Sequence, residues 1–342
     1  MIMTSELLAE IAVLRTAPEP WMAIGDAEVH RLLTESPRDY FEHMLERLHD
    51  IAAGRTKVEL PPKQVFPDVD STADFRVMPC VTRSSEGVTK TVKLVGTNIS
   101  QLRVPDQITV GKALVIDAIE NYITHIVDAC LLSSARTGMC ATLAMHLLAP
   151  DARKIAIIGS GRVGYYSALY AVSCCNASEV TFLDRDPRRA ATAAQAMSER
   201  FPALTCRSAD AADIGTHDVV LLATTSETPP CTPQDWNAQL IISLGADIDH
   251  QSELDESWAG KVDLYVDNPD SARFGDLKKW TAKNLLKPGS IRQISDLLNS
   301  PDTRTGKSRQ KLFISTGSAL FDNLTLEYLL RRLDSRTIRR DR

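Results

Sequence analysis

The clearest chemistry in this chain lies in three glycines and an aspartate. The apolar run Lys154-Ile-Ala-Ile-Ile158 leads directly into Gly159-Ser160-Gly161-Arg162-Val163-Gly164, a G-x-G-x-x-G turn ahead of a helix-like segment. The first glycine permits a tight turn, the second lets backbone approach a pyrophosphate, and the third lets the helix pack on its strand. The helix N-terminus then presents unpaired N–H groups and partial positive charge to phosphate. A glycine-rich turn by itself is common. Here the next apolar run, Val180 to Leu183, ends in Asp184, 20 residues beyond Gly164. That is the spacing of the acid that hydrogen bonds an adenosine ribose. A carboxylate at that point repels a 2′-phosphate, so the expected cofactor is NAD rather than NADP. A later apolar run ends in Ala223-Thr224-Thr225-Ser226, whose hydroxyls are candidates for the nicotinamide end.

Other chemistry-bearing residues are scattered. Met78-Pro79 and Thr91-Val-Lys93-Leu-Val-Gly96 precede the glycine turn, and Leu132-Ser-Ser-Ala-Arg136-Thr137-Gly138 opens a long helical pattern. Gly245-Ala-Asp247, with Glu253-Leu254 beyond, follows it. Each has an ordinary structural explanation alone: a solvent-facing lysine, a helix-surface arginine, a loop or cap aspartate. Their combination and order say more than any one of them. The seven histidines show no H-E-x-x-H or similar pair, so no metal is expected. The seven cysteines are odd in number, form no C-x-x-C, and include the adjacent pair Cys174-Cys175, which reads as small packing residues.

The elements that must position these residues fall into two rhythms. Up to about Arg55 the pattern is helical, with Leu7, Leu8, Ile11 and Leu14 and then Phe41, Met44, Leu45 and Leu48 at helical spacing. A loop rich in proline and charge is expected over 59–74, then strands over 75–81, 88–95 and 112–119, with 121–126 continuing the sheet. A long helix is expected from about Cys130 to Leu148, stopped near Pro150. From Arg153 short apolar strands (154–158, 180–183, 219–223, 240–244, 264–266, 312–316) alternate with helical patterns, including 190–201 and a terminal 322–333. The stretch 276–298 reads as short helical patches, and Pro301 to Lys307 as an exposed loop. Near-continuous hydrophobicity within strands that alternate with helices indicates a parallel sheet covered on both faces. The fold class expected is α/β: a Rossmann-type doubly wound parallel sheet plus a second α+β domain.

Composition narrows the function classes. The 342 residues suggest two domains. With 39 Lys and Arg against 44 Asp and Glu, the net charge of −5 disfavours nucleic acid as partner. Hydrophobic residues at 44% and charged residues at 24% match globular proteins. No run approaches the length of a membrane span, and Met1 to Leu14 has no basic region of a secretory signal, so a cytoplasmic protein is expected.

Taken together, Met78-Pro79, Val92-Lys93, Ser134-Ala-Arg136-Thr137, Gly159-Ser-Gly161, Leu183-Asp184, Gly245-Ala-Asp247 with Glu253-Leu254, and Ser315-Thr-Gly317 with Asp322 resemble the ornithine cyclodeaminase/mu-crystallin family. The resemblance runs from about Leu45 to Leu333. It implies a substrate-binding and dimerisation domain over 1–127 with 313–342, a Rossmann NAD-binding domain over 128–312, and a homodimer formed through the N-terminal sheet. It also implies hydride transfer between an amino-acid Cα and NAD. Carried over by position, Lys93 would contact the substrate carboxylate or carbonyl, with Lys63 a further candidate in the variable loop. Arg136 would stand at the cofactor phosphate and substrate edge, and Asp247 would handle the amine proton. Thr109, Gly245 and Ser315 would join Ser160, Arg162, Val163 and Thr224 around the cofactor.

One departure is informative. Cyclodeaminases of this family carry a glutamate two residues before the Met-Pro pair, where this chain has Arg76. An arginine cannot serve as a carboxylate base and invites a second substrate carboxylate instead. The pattern is similar to the branch that forms 2,3-diaminopropionate in siderophore and antibiotic pathways. That branch oxidises N-(2-amino-2-carboxyethyl)-glutamate to an imine, which water splits into 2-oxoglutarate and the diamino acid. An ornithine or lysine cyclodeaminase, a cyclic ketimine reductase, and a non-catalytic binder of the mu-crystallin type are the alternatives.

Overall fold

The computed structural model describes residues 16–69, 71–209, 216–230, 237–248, 250–287, 289–299 and 310–340. The helical pattern expected over Leu7 to Leu14, the loop expected over Pro301 to Lys307, and Cys231 lie outside the described residues.

The first half runs β1 (Met22–Ile24), α1 (Asp26–Glu35), α2 (Pro37–Ala52), β2 (Lys57–Glu59), β3 (Gln64–Pro67), β4 (Asp74–Ser84), β5 (Gly87–Thr97), β6 (Thr109–Ile116) and β7 (Ile123–Asp128). These strands form one sheet of order β1-β7-β6-β5-β4-β2, with β3 also paired to β4. The segment expected as a loop over 59–74 therefore contains a strand, with Val65 and Phe66 opposite Arg76 and Phe75. Flanking prolines hid it, and an edge position tolerates them. β6 ends at Ile116, short of the expected 119, because the Asp117 carboxylate accepts the N–H groups of Ile119 (2.8 Å) and Glu120 (2.7 Å) and turns the chain.

The second half runs α3 (Ala129–Leu148), β8 (Lys154–Ile158), α4 (Arg162–Cys174), β9 (Glu179–Leu183), α5 (Pro187–Arg200), β10 (Thr205–Ser208), β11 (Val219–Leu222), β12 (Leu240–Ser243), β13 (Asp263–Val266), α6 (Gly275–Ala282), β14 (Ile291–Gln293), α7 (Asp296–Asn299), β15 (Lys311–Ile314) and α8 (Ala319–Arg340). Its sheet has the order β10-β9-β8-β11-β12-β15-β13-β14, and every pairing is parallel. The short edge strands β10 and β14 escaped the sequence pattern, which is weakest over three or four residues. α5 starts at Pro187, three residues earlier than its apolar pattern, because Asp186 caps it by accepting the Arg188 N–H at 3.1 Å.

Strands β8, β11 and β12 are buried along nearly their whole length, as a sheet covered on both faces requires. β15 lies between β12 and β13, so the parallel sheet extends two residues past 312. α8 then returns to the first sheet: Asn323 donates to the Cys80 and Thr89 carbonyls (3.3 and 3.1 Å) and accepts from Thr82 at 2.9 Å. No described helix is long and apolar enough to cross a membrane.

Candidate active site

The carboxyl ends of the parallel strands carry the glycine turn and most of the polar groups discussed above. This is where open α/β sheets bind ligands. Gly159 follows β8 with φ of 99°, and a Cβ there would lie 2.3 Å from the Ala223 carbonyl oxygen, so only glycine fits. A Cβ at Gly164 would lie 2.2 Å from the Gly159 oxygen, which is the close helix–strand approach expected of the third glycine. At Gly161 nothing lies within 4 Å of the same position, which leaves the mouth of α4 open. Asp184 ends β9 and accepts the N–H groups of Ser160 (2.8 Å) and Asp186 (3.0 Å), which aims its carboxylate beside the turn. The Ser160 hydroxyl donates to the Leu183 carbonyl at 3.2 Å. These residues fit a dinucleotide: an open helix N-terminus for phosphate and an oriented acid for ribose. Arg162, at the start of α4, reaches across and donates to the Asp106 carbonyl at 2.5 Å.

Beside the turn lies a cavity of about 210 Å³ between the two sheets. Val163, Thr224, Gly245 and Asp247 reach it from one side, Lys63, Arg76, Lys93 and Thr109 from the other, and Arg136 from α3. Alternation in β4 and β5 puts Asp74, Arg76 and Met78 on one face with Lys93, Val95 and Thr97. Lys93 is 2% exposed and pairs with Asp322 at the start of α8, 2.8 Å from Oδ1 and 2.7 Å from Oδ2. Arg136 Nε forms an ion pair with the same carboxylate at 3.0 Å, outside hydrogen-bond alignment. Burial, reinforced by Arg136, pushes the Lys93 ammonium down to about 7 against the pull of Asp322. Lys63 donates to the Thr316 carbonyl at 2.9 Å and sits 3.8 Å from the centre of the Phe274 ring. Burial lowers it to about 8, with Asp247 opposing and Arg76 assisting.

Asp247 stands after β12 and meets Arg76 across the cavity, Oδ2 to Nη1, at 2.5 Å. Burial works to raise its carboxyl, but the charges of Arg76 and Lys63 prevail and hold it below the usual carboxylate range. The structure therefore brings Lys63, Arg76, Lys93, Arg136 and Asp247 to one cavity, with Thr109, Val163, Thr224 and Gly245 on its walls. Ser315 does not face the cavity as an unengaged hydroxyl, since it donates to Asp267 at 2.6 Å.

Sequence reading missed three carboxylates that organise this arrangement. Asp74 grips Arg76, and its position two residues earlier on the same strand face was the available signal. Asp267, which follows β13, holds both Ser315 and Ser271, the latter at 2.7 Å. Burial raises its carboxyl despite those two donors. Asp276 accepts the N–H groups of Glu253 (2.8 Å) and Leu254 (3.0 Å), and no local spacing pointed to it. Among the described residues no group of three His, Cys, Asp or Glu is placed to hold a metal.

Comparison with known proteins gives a family and a fold. The model of the ornithine cyclodeaminase/mu-crystallin family matches residues 24–336. No curated protein matches the chain. A Thermococcus litoralis Δ1-pyrroline-2-carboxylate reductase, solved with NADH and L-proline, is similar with a TM-score of 0.81 at 17% identity, over 92% of this chain and 98% of that one. An archaeal alanine dehydrogenase dimer with bound NAD has a TM-score of 0.79 at 19% identity, over 93% and 97%. A lysine cyclodeaminase, solved for its recognition of L-lysine, L-ornithine and L-2,4-diaminobutyric acid, has a TM-score of 0.78 at 21% identity, over 94% of both. At such identities the likeness is one of fold.

Proposed function

The chain belongs to the ornithine cyclodeaminase/mu-crystallin family, and from that premise we propose that it is an NAD-dependent oxidoreductase acting on the C–N bond of an amino acid with more than one carboxylate. The observation that carries this reading is the meeting of four cations and Asp247 in one cavity beside an open dinucleotide turn. Solved relatives of this fold hold NAD or NADH, one of them with L-proline. Asp184 favours NAD over NADP by excluding a 2′-phosphate.

Bound NAD would supply the hydride acceptor. The chain's own residues do the rest. Lys93 and Arg136 attract and orient the α-carboxylate, and Lys63 adds a third cation. Asp247 accepts a proton from the substrate amine, and the nitrogen lone pair then forms the C=N bond as Cα gives up its hydride. The walls of the cavity hold Cα in alignment. Water adds to the resulting imine and splits it into a 2-oxo acid and an amine. Within this reading the preferred substrate is an opine such as N-(2-amino-2-carboxyethyl)-glutamate, whose extra carboxylates suit Arg76 and Lys63, with 2,3-diaminopropionate as the amine product.

The deciding experiment incubates the full chain with NAD and a panel of amino acids and opines, follows NADH by absorbance, and identifies products by mass spectrometry. NADH formation with a 2-oxo acid and a free amine is expected. A cyclic imino acid from ornithine or lysine would replace this reading with ring closure. Tight ligand binding without NADH formation would replace it with a binding protein.

A further inference from the structure

Arg76 divides its hydrogen bonds by edge. Asp74 takes the side edge: Nε lies 3.1 Å from each of its oxygens and Nη2 lies 3.0 Å from Oδ2. Asp74 is itself held by the Thr97 hydroxyl at 3.0 Å. Asp74 and Thr97 lie on adjacent strands of one sheet, so this clasp stays within one wall of the cavity. The remaining contact crosses to the other wall, from Nη1 to Asp247. A guanidinium has five N–H donors. With one on Nε and one on Nη2 given to Asp74, and one on Nη1 given to Asp247, one N–H on each terminal nitrogen is left. The end of the fork, formed by one N–H of Nη1 and one of Nη2, is the edge that receives a carboxylate in bidentate fashion, and a carboxylate seated there stands against the same Nη1 that Asp247 holds.

A carboxylate that arrives at that end competes with Asp247 for Nη1, but it does not disturb the Asp74 clasp. We propose that Arg76 is a specificity-determining residue that exchanges partners: the second carboxylate of the substrate takes the terminal edge of Arg76, and Asp247 is released to accept the amine proton. This rests on the reading above that Asp247 is the proton acceptor. While paired, Asp247 has an oxygen engaged by a cation and is a weak base. After release, the charges of Lys63 and Arg136 still face it and favour the ionised form, which is the form that accepts a proton. A substrate with a single carboxylate leaves the Arg76–Asp247 pair intact. It then binds through Lys93 and Arg136 but meets an occupied base. Discrimination between the two classes of substrate therefore falls on kcat as well as on KM, which simple charge attraction would not produce.

The test has a binding arm and a kinetic arm. Calorimetry on the NADH-saturated full chain compares glutarate with butyrate, which differ by one carboxylate and lack the amine. In Asp247→Asn the competing charge is gone, so glutarate should bind about tenfold more tightly than in the wild type, equivalent to ~1.4 kcal/mol. Butyrate should gain much less. Arg76→Gln should abolish the preference for glutarate. An equal gain for both anions, or no gain for glutarate, overturns the exchange. In the kinetic arm, Arg76→Gln should raise kcat for a monocarboxylic amino acid while raising KM for a dicarboxylic one. Equal loss on both substrates would mean that Arg76 only supports the fold and would overturn the proposal. Absence of NADH formation from any amino acid would defeat the oxidoreductase reading alone, and the glutarate comparison would still decide whether Arg76 exchanges partners.

Discussion

Glu253 holds Thr224 by two hydrogen bonds to one oxygen, from the Thr224 N–H at 2.6 Å and its hydroxyl at 2.9 Å. The other oxygen accepts the Ser243 hydroxyl (2.7 Å) and the N–H groups of Leu244 (3.1 Å) and Gly245 (2.9 Å). One fully buried carboxylate thus ties together the loops after β11 and β12, and with them the segment that presents Asp247. Burial raises its carboxyl even though the hydrogen bonds from Thr224, Ser243 and Gly245 oppose that. Glu253→Gln keeps the shape but replaces one acceptor with a donor, facing N–H groups that need acceptors. A loss of about 1–3 kcal/mol in urea denaturation is expected, the cost of leaving buried polar groups unpaired. Turnover should fall further than that loss explains at temperatures where the variant is folded, because the Gly245–Asp247 segment shifts.

Asp247→Asn removes the charge while nearly preserving shape. It should lower kcat by ~10²-fold or more with little change in NAD affinity, since the cofactor phosphates are expected at the Gly159–Gly164 turn, away from Asp247. Lys93→Ala should raise KM and lower kcat together, by losing the carboxylate contact and misaligning Cα. Steady-state kinetics with cofactor titration separates the two.

Cofactor choice should follow Asp184. Its oxygens each accept one backbone N–H, and a carboxylate oxygen has a second lone pair for a ribose hydroxyl. Asp184→Ser should narrow the preference for NAD over NADP by about tenfold or more, ~1.4 kcal/mol. Fluorescence titration with both reduced cofactors measures it, and tighter NADPH binding by the wild type would refute the assignment.

The pH dependence of kcat/KM should bear the mark of Lys63. Burial lowers its pKa to about 8, so the ammonium that attracts a carboxylate is present below that pH and lost as pH rises through it. Lys93, which burial lowers to about 7, titrates first, so the alkaline limb of kcat/KM should begin near pH 7 and steepen near pH 8 where the Lys63 charge is lost, since this parameter reports the free enzyme. Lys63→Arg keeps its charge throughout the measurable range and should remove the step near pH 8 while leaving the one near pH 7.

A dimer is expected to form through the far face of the first sheet. Phe75 and Leu94 are 48% and 38% exposed, and Val77, Pro79, Val81 and Val92 beside them are half-buried. An exposed apolar sheet face of this kind suits association, and a second copy of the chain is the expected partner. Light scattering should give a dimer, and Leu94→Glu should give a monomer by placing a charge at its centre.

The sequence by itself determined the dinucleotide turn, the parallel sheet behind it and the family resemblance. Those features are local: a glycine pattern, the 20-residue step to Asp184, and apolar strands alternating with helices. The resemblance also places Arg76 where cyclodeaminases of the family carry a glutamate. What only the tertiary structure decided is which charges meet. Alternation along β4 and β5 says which side chains share a face, but not what stands opposite. Lys93 meets Asp322 across 229 positions, and Arg76 meets Asp247 across 171. The arginine proposed to receive a substrate carboxylate already grips two of the chain's own, and the grip on Asp247 follows from the packing of two sheets against each other. Coulomb interaction acts through space and low dielectric, so partners far apart in sequence become neighbours only when the chain has folded.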